Sequence, residues 1–152
     1  MVSIIFVCTA NMCRSAIAEG IFRKRLHDLN RDDIMVSSMG THGIAGAPAT
    51  EYAISVCAEN QIDISRHISR PLVPEELVGS RMIFVMEPVQ KEFIHLFFPR
   101  VEDRTFLLGA WPAKETRKAI IHDPVGQKIN EFRKTFSIIS SHINRIIPLL
   151  LD

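Results

Sequence analysis

Four short, mostly apolar runs alternate with stretches of helical periodicity along this chain, and that alternation restricts the folds open to it. The runs cover residues 3–7, 34–38, 82–86 and 105–108. Strands of this composition are typical of a parallel sheet that helices cover on both faces. With 152 residues, the chain is long enough for one domain with a sizeable core. The sequence therefore predicts a single α/β domain over residues 1–152.

The helices are predicted from apolar residues that recur at intervals of three and four. Helices are expected over residues 16–26, 48–60 and 88–97. A long amphipathic helix is expected from residue 127 onward, with an interruption near its end at Pro148. Each predicted helix follows a predicted strand, as a parallel sheet requires.

Composition and charge limit the classes of binding partner that this protein is expected to have. The formal net charge is +1, with both signs mixed, so neither nucleic acid nor an anionic membrane is the expected partner. No apolar run reaches the length of a transmembrane helix, and the N-terminal residues lack the pattern of a signal peptide. Three cysteines, two of them in one loop, do not form a secreted disulfide framework. We expect a cytoplasmic protein.

The loop between the first strand and the first helix contains Cys8 and Arg14, with five residues between them, and then Ser15. In such a junction the backbone N–H groups converge, and the helix adds the positive end of its dipole. These surroundings favour a thiolate at Cys8, and the Arg14 guanidinium offers a planar fork to an oxyanion. A thiolate beneath an anion-binding loop indicates phosphoryl transfer through a covalent cysteinyl-phosphate.

That chemistry also needs a proton donor for the leaving oxygen and a base for the attacking water. Asp123 is the candidate for both roles, because it lies on the Pro- and Gly-bearing loop ahead of the last helix. The other interpretation of Asp123-Pro124 is a turn-initiating pair without a catalytic role. The six histidines show no metal-ligand spacing beside a carboxylate or cysteine, so neither a metal nor another cofactor is expected.

Taken in order, these motifs resemble the low-molecular-weight protein tyrosine phosphatase family over nearly the whole chain. Residues 8–15 resemble its phosphate-binding loop and Asp123-Pro124 its acid-bearing loop. Residues 38–43 resemble its Ser-Ala-Gly-Thr segment, 64–70 its His-bearing segment and 83–86 its third strand. The resemblance implies a three-layer α/β/α fold, phosphotyrosine protein phosphatase I-like, with a four-stranded parallel sheet in the order 2-1-3-4.

The resemblance also implies roles for single residues. Cys8 would be the nucleophile, Arg14 the phosphate clamp and Asp123 the general acid and base, while Ser15 donates its hydroxyl to the Cys8 sulfur. The rest of the expected phosphate-binding loop comprises Thr9, Ala10, Asn11, Met12 and Cys13.

Two residues outside the loop are implied as its supports. Ser38 and His67 would hold Asn11 through hydrogen bonds. Asn11 itself is of a residue type suited to a left-handed backbone. Without the resemblance, His67 would be taken for an ordinary histidine at the surface or core edge.

The sequence departs from the family pattern at the two walls expected beside the substrate. These walls carry Ile44 and Val125, whereas the family usually has an aromatic residue after Asp-Pro. The only tyrosine, Tyr52, is predicted on a helix, so stacking on a phosphotyrosine ring is expected to be weak. Met12 favours tyrosine, because it resembles the bulky aliphatic residue of tyrosine-directed members, whereas phosphoarginine-directed relatives carry threonine there.

A phosphotyrosine protein is thus the expected substrate, and inorganic phosphate and vanadate are the expected inhibitors. Protein arginine phosphatase activity is the alternative. A thiol-dependent arsenate reductase would need resolving cysteines near the third strand, and residues 78–100 contain none. A non-catalytic phosphate-binding module is disfavoured because Cys8, Arg14, Ser15 and Asp123 are all present.

The two remaining cysteines have separate interpretations. Cys57 is predicted as a small core residue on an apolar helix stripe. Cys13 is either a small loop side chain or a redox partner that forms a reversible disulfide with Cys8.

Overall fold

All four strands belong to one parallel sheet in the order β2-β1-β3-β4, in a computed structural model that describes residues 1–151. The central strand β1 pairs with both neighbours, so that Phe6 lies opposite Ser38 on one side and Phe84 on the other. The predicted direction and order of the strands are confirmed. The strands are β1 (Val2–Cys8), β2 (Ile34–Gly40), β3 (Met82–Val85) and β4 (Thr105–Leu107).

Helices cover both faces of the sheet, so the three-layer prediction is confirmed as well. One face packs against α1, α2 and α5, and the opposite face packs against α3 and α4. The helices are α1 (Arg14–Asp28), α2 (Glu51–Glu59), α3 (Pro74–Gly79), α4 (Pro88–Phe97) and α5 (Ile129–Leu150). Short 3-10 turns occupy Pro99–Arg104 and Arg117–Ala119.

Two helix predictions are wrong at their ends. Helix α2 begins at Glu51 rather than at residue 48. The chain before it is extended because Ala47 exchanges hydrogen bonds with Ser69, whose hydroxyl accepts from the Ala47 N–H at 3.1 Å. Helix α5 continues through Pro148, which lies in its last turns. The C=O of the exposed Asn144 can reach water, so the missing proline N–H does not end the helix.

Helix α3 was not predicted. It buries a single apolar side chain, Leu77, and is too short to show a helical repeat. Its start does carry a local signal, since Pro74 occupies the first turn and Glu75 and Glu76 follow it.

Alternation along β1 decides which face of the sheet carries the Cys8 thiol. Ile4, Phe6 and Cys8 face the helix α1 side, where the Phe6 ring packs 5.6 Å from that of Phe22. Ile5 and Val7 face α3 and α4. Phe6 is fully buried, so the end of β1 rests on a rigid core. Among residues 1–151, no helix is both long and apolar enough to cross a membrane.

Candidate active site

The loop from Cys8 to Arg14 joins the carboxyl end of β1 to the start of α1. Asn11 takes a φ of 60°, a left-handed conformation that turns the chain within the loop. The carbonyls of Cys8 and Thr9 point outward and accept from Thr41 and His42 N–H at 3.0 and 2.8 Å. Asn11, Cys13 and Ser15 are buried, and Thr9, Ala10 and Met12 are half-buried.

The hydrogen bonds of the described chain leave the backbone N–H groups of residues 9–14 without a protein acceptor. The last of them belongs to the first turn of α1, which within residues 1–151 has no side-chain cap. Unpaired N–H groups at a helix N-terminus form a site for an anion. The loop therefore has the geometry of an oxyanion cradle beside the Cys8 thiol.

The end of β2 packs closely against the backbone of the phosphate-binding loop. A Cβ at Gly40 would lie 2.5 Å from the Thr9 carbonyl oxygen and 2.9 Å from the Asn11 nitrogen. Any larger residue would displace the loop backbone, so glycine is required at this position for steric reasons.

Cys8 Sγ lies 3.0 Å from Ser15 Oγ, as the resemblance implied. The Ser15 oxygen already accepts a hydrogen bond of 2.8 Å from Asn11 Nδ2. Its own proton is therefore free to be donated to the sulfur. A hydroxyl proton directed at the sulfur and the positive end of the α1 dipole both stabilise negative charge that develops there.

Besides its hydrogen bond to Ser15, Asn11 has three further polar contacts, and both predicted supports are among them. Its Nδ2 donates to Ser38 Oγ at 2.9 Å, and its carbonyl oxygen lies 2.6 Å from His67 Nε2. The Arg70 backbone N–H donates to Asn11 Oδ1 at 3.0 Å. Ser38 in turn donates to Glu19 Oε1 at 2.6 Å. Arg70 and Glu19 were missed, because no local pattern links them to the loop.

The Arg14 guanidinium is buried and bound from two other loops. Its Nη1 donates to the Glu87 carboxylate and, at 2.8 Å, to the Ile121 carbonyl oxygen. Its Nη2 lies 3.8 Å from Asp123 Oδ2. Glu87 was also missed, although its position directly after a buried strand places it at the same sheet edge as Cys8.

Helix α4 connects Glu87 to the phosphate-binding loop. Gln90 Oε1 accepts from the backbone N–H groups of Met86 and Glu87, each at 2.9 Å, and so closes a capping box. Gln90 Nε2 donates to Thr9 Oγ1 at 3.2 Å. The start of α4 is thereby attached to the first residue after Cys8.

Asp123 lies at the mouth of the loop with its side chain about half-exposed. Its Oδ1 accepts from the Val125 N–H at 3.0 Å, which makes it the first residue of a turn. The predicted turn is therefore present, and it leaves Oδ2 3.8 Å from Arg14 Nη2. The turn positions the carboxyl group rather than competing with a chemical role for it.

Both predicted walls are aliphatic and exposed, but an aromatic residue stands beside one of them. Tyr52 lies on α2, as predicted, and lines the same cavity of about 320 Å³ as Val125. Thr50 borders this cavity, and its N–H donates to the Met12 carbonyl oxygen at 2.8 Å. The Tyr52 ring packs edge-on to Phe132 at 5.4 Å. The expectation of weak ring stacking stays a prediction, made without knowledge that Tyr52 lies beside the Val125 wall.

The three cysteines are free and buried. Burial raises the pKa of Cys13 to about 12, with Cys8 and Asp123 adding to the effect. Burial also raises the pKa of Cys57 to about 12, and Cys57 lies in the core as predicted. Over the described range 1–151, no three His, Cys, Asp or Glu side chains are grouped to hold a metal ion.

The fold and the site define an α/β protein with a free cysteine, Cys8, in a loop of N–H groups that are unpaired within residues 1–151, at the carboxyl edge of a parallel sheet. The family model described as "Low molecular weight phosphotyrosine protein phosphatase" matches residues 3–150. The chain belongs to this family, which places it among the phosphoric monoester hydrolases and confirms the predicted resemblance.

The chain is also similar to individual phosphatases. The chain is 31% identical to low molecular weight protein-tyrosine-phosphatase Etp of Escherichia coli (strain K12), covering 90% of this chain and 86% of that protein. It is 30% identical to the protein-arginine-phosphatase of Bacillus subtilis (strain 168), covering 87% and 85%. A low molecular weight protein tyrosine phosphatase from T. tengcongensis superposes with a TM-score of 0.90 at 31% identity, covering 98% and 99%.

Proposed function

We propose that this protein removes phosphate from phosphotyrosine in proteins, through a cysteinyl-phosphate intermediate on Cys8. The observation that carries the proposal is the Cys8 sulfur, 3.0 Å from the Ser15 hydroxyl, in a loop whose N–H groups lack protein acceptors. We take the machinery to reside in one domain over residues 1–152. We also place the protein in the cytoplasm, because a thiolate nucleophile must stay reduced to act.

In the first step, the Cys8 thiolate attacks phosphorus while the phosphate oxygens bind the loop N–H groups and Arg14. The sulfur–phosphorus bond forms, the bond to the tyrosine oxygen breaks, and Asp123 donates its proton to that oxygen. The same N–H groups stabilise the charge on the equatorial oxygens in the transition state. Glu87 and the Ile121 carbonyl hold Nη1 of Arg14, so the guanidinium is already oriented.

In the second step, water attacks phosphorus and gives a proton to the Asp123 carboxylate. The sulfur–phosphorus bond breaks, and inorganic phosphate leaves with Cys8 again a thiolate. The Ser15 hydroxyl stabilises the departing sulfur, because Asn11 already occupies its acceptor side. Inorganic phosphate and vanadate are expected to inhibit by binding the same loop.

Tyrosine is favoured because an aryl ring can pack against Tyr52 and Val125, which line one cavity. Thr50 borders that cavity and is hydrogen-bonded to Met12 of the loop. Arginine is the second candidate. It is favoured by the aliphatic, exposed Ile44 at the other wall and by the similarity to a protein-arginine-phosphatase. An arsenate reductase is disfavoured, because Cys57 is fully buried in the core and residues 78–100 contain no cysteine.

Matched peptides that carry phosphotyrosine or phosphoarginine separate the two substrates. We expect kcat/KM to be at least about tenfold higher on the phosphotyrosine peptide, a preference of about 1.4 kcal/mol in transition-state binding. Assays run with EDTA, and para-nitrophenyl phosphate serves as the common reference. The opposite preference would identify an arginine phosphatase. Arsenate-dependent thiol oxidation above background would indicate the reductase.

We also predict that Cys13 protects Cys8 from over-oxidation. Peroxide oxidises the Cys8 thiolate to a sulfenic acid and leaves as hydroxide, and the Cys13 thiolate then attacks that sulfur to form a disulfide and expel a second hydroxide. Because the pKa of Cys13 is raised to about 12, its thiolate is scarce at neutral pH and disulfide formation should accelerate as pH rises.

Mass spectrometry of peroxide-treated protein is expected to find a Cys8–Cys13 link, with sulfinic acid at Cys8 accumulating faster in Cys13→Ser. Cys57→Ser is the matched control, since Cys57 is equally buried but lies outside the loop. Equal sulfinic acid formation in the wild type and Cys13→Ser would show that the hypothesis is wrong.

A further inference from the structure

Helix α4 presents an apolar stripe to solvent. Val89, Phe93, Leu96 and Phe97 lie on one face, because residues three, four and eight apart project in nearly the same direction. Val89, Leu96 and Phe97 are 60%, 74% and 58% exposed and Phe93 is half-buried, whereas Gln90 and Ile94 of the same helix are buried. Contiguous exposed apolar surface of this kind marks a site of interaction.

The stripe begins at the phosphate-binding loop. The Phe93 ring packs 5.1 Å from the His42 ring and 4.7 Å from the Phe97 ring. The His42 N–H donates to the Thr9 carbonyl oxygen, and Gln90 of α4 donates to the Thr9 hydroxyl. The rings of His42, Phe93 and Phe97 therefore form a row along the outside of α4, and this row begins beside Thr9.

We infer that this stripe, together with His42, is the docking surface for the polypeptide that flanks the phosphorylated residue of the substrate. The inference rests on the proposed function, because a phosphorylated side chain seated in the loop brings its own backbone across the adjoining rim. Apolar side chains of that backbone would cover the exposed rings and methyl groups.

The length of the stripe sets the position of those apolar residues. From Val89 to Phe97 the helix rises about 12 Å, at about 1.5 Å per residue. An extended peptide covers that length with about four residues, at about 3.3 Å each. Apolar residues about three to six positions from the phosphotyrosine would therefore meet Leu96 and Phe97.

The test uses two phosphotyrosine peptides that differ only in carrying leucine or serine three and six residues from the phosphotyrosine, on both sides. The enzyme is compared with Leu96→Ser/Phe97→Ser and with the control Met35→Ser/Leu149→Ser, which removes apolar residues of similar exposure elsewhere. We expect the enzyme and the control to favour the leucine peptide by about tenfold in kcat/KM, mainly through KM. The stripe variant should lose this preference and keep its rate on para-nitrophenyl phosphate.

Binding of both peptides to Cys8→Ser forms of the three proteins, measured by fluorescence anisotropy, detects docking without turnover. Leucine-dependent binding that disappears in the stripe variant would support the surface even if the enzyme failed to turn over any phosphoester, an outcome that would refute the proposed function alone. Absence of a leucine preference in both assays, or its survival in the stripe variant, would overturn the inference. A dimer that dissociates in the stripe variant without any change in peptide preference would also overturn it, in favour of a contact between two copies of the chain.

Discussion

Replacing Cys8 with serine is expected to lower kcat on para-nitrophenyl phosphate by roughly 10⁴-fold or more, because removing a nucleophile eliminates the covalent path. A serine hydroxyl is almost never ionised near neutral pH, so neither the Ser15 hydroxyl nor the dipole of α1 can make it an effective substitute for a thiolate. The loop N–H groups and Arg14 are unchanged, and the variant should still bind phosphate and vanadate.

Steady-state kinetics measure the predicted loss of kcat, and calorimetric titration with vanadate measures the predicted anion binding. Cys57→Ala is the matched control, because it removes another buried free thiol that lies in the core rather than in the loop. It should keep its activity. A Cys8→Ser variant that retained more than a few per cent of wild-type kcat would exclude Cys8 as the nucleophile.

Replacing Asp123 with asparagine is expected to cause the second large loss of kcat. We expect a loss of about 10²- to 10⁴-fold in kcat on phosphotyrosine and phenyl phosphate, whose leaving oxygens need a proton. The loss on para-nitrophenyl phosphate should be smaller, since nitrophenolate leaves more readily without one.

Values of kcat for a series of leaving groups test this prediction. Asparagine keeps the side-chain oxygen that accepts from the Val125 N–H, so the turn should survive the change. The control Asp103→Asn alters an exposed carboxylate outside the site. Equal losses on good and poor leaving groups would show that Asp123 positions the substrate rather than protonating it.

The parts of the site that could be predicted are those that lie close together in the chain. Cys8, Arg14 and Ser15 belong to one strand–loop–helix segment, so their spacing and the flanking apolar periodicity were enough to indicate an anion-binding loop. Strand β1 and helix α1 are likewise determined by local pattern. Asp123 was recognised through its Asp-Pro turn, and the turn is present.

Helix ends were less predictable, because they depend on partners from elsewhere. The start of α2 is delayed by the pairing of Ala47 with Ser69, which lies 22 residues away. Pro148 is tolerated in α5 because Ile146, Ile147 and Leu150 remain buried against the core around it. In both cases tertiary contacts outweigh local propensity.

The chain's local patterns alone determined an α/β fold with a cysteine at the carboxyl end of its first strand, in a loop suited to binding an anion. Only the tertiary structure showed what surrounds that cysteine: Glu87 on Arg14, 73 residues away, Gln90 on Thr9, 81 residues away, and Tyr52 beside Val125. The physical reason is the geometry of a parallel sheet, which gathers the ends of distant strands at one edge. Which side chains meet there depends on how the helices pack, and no local spacing encodes that.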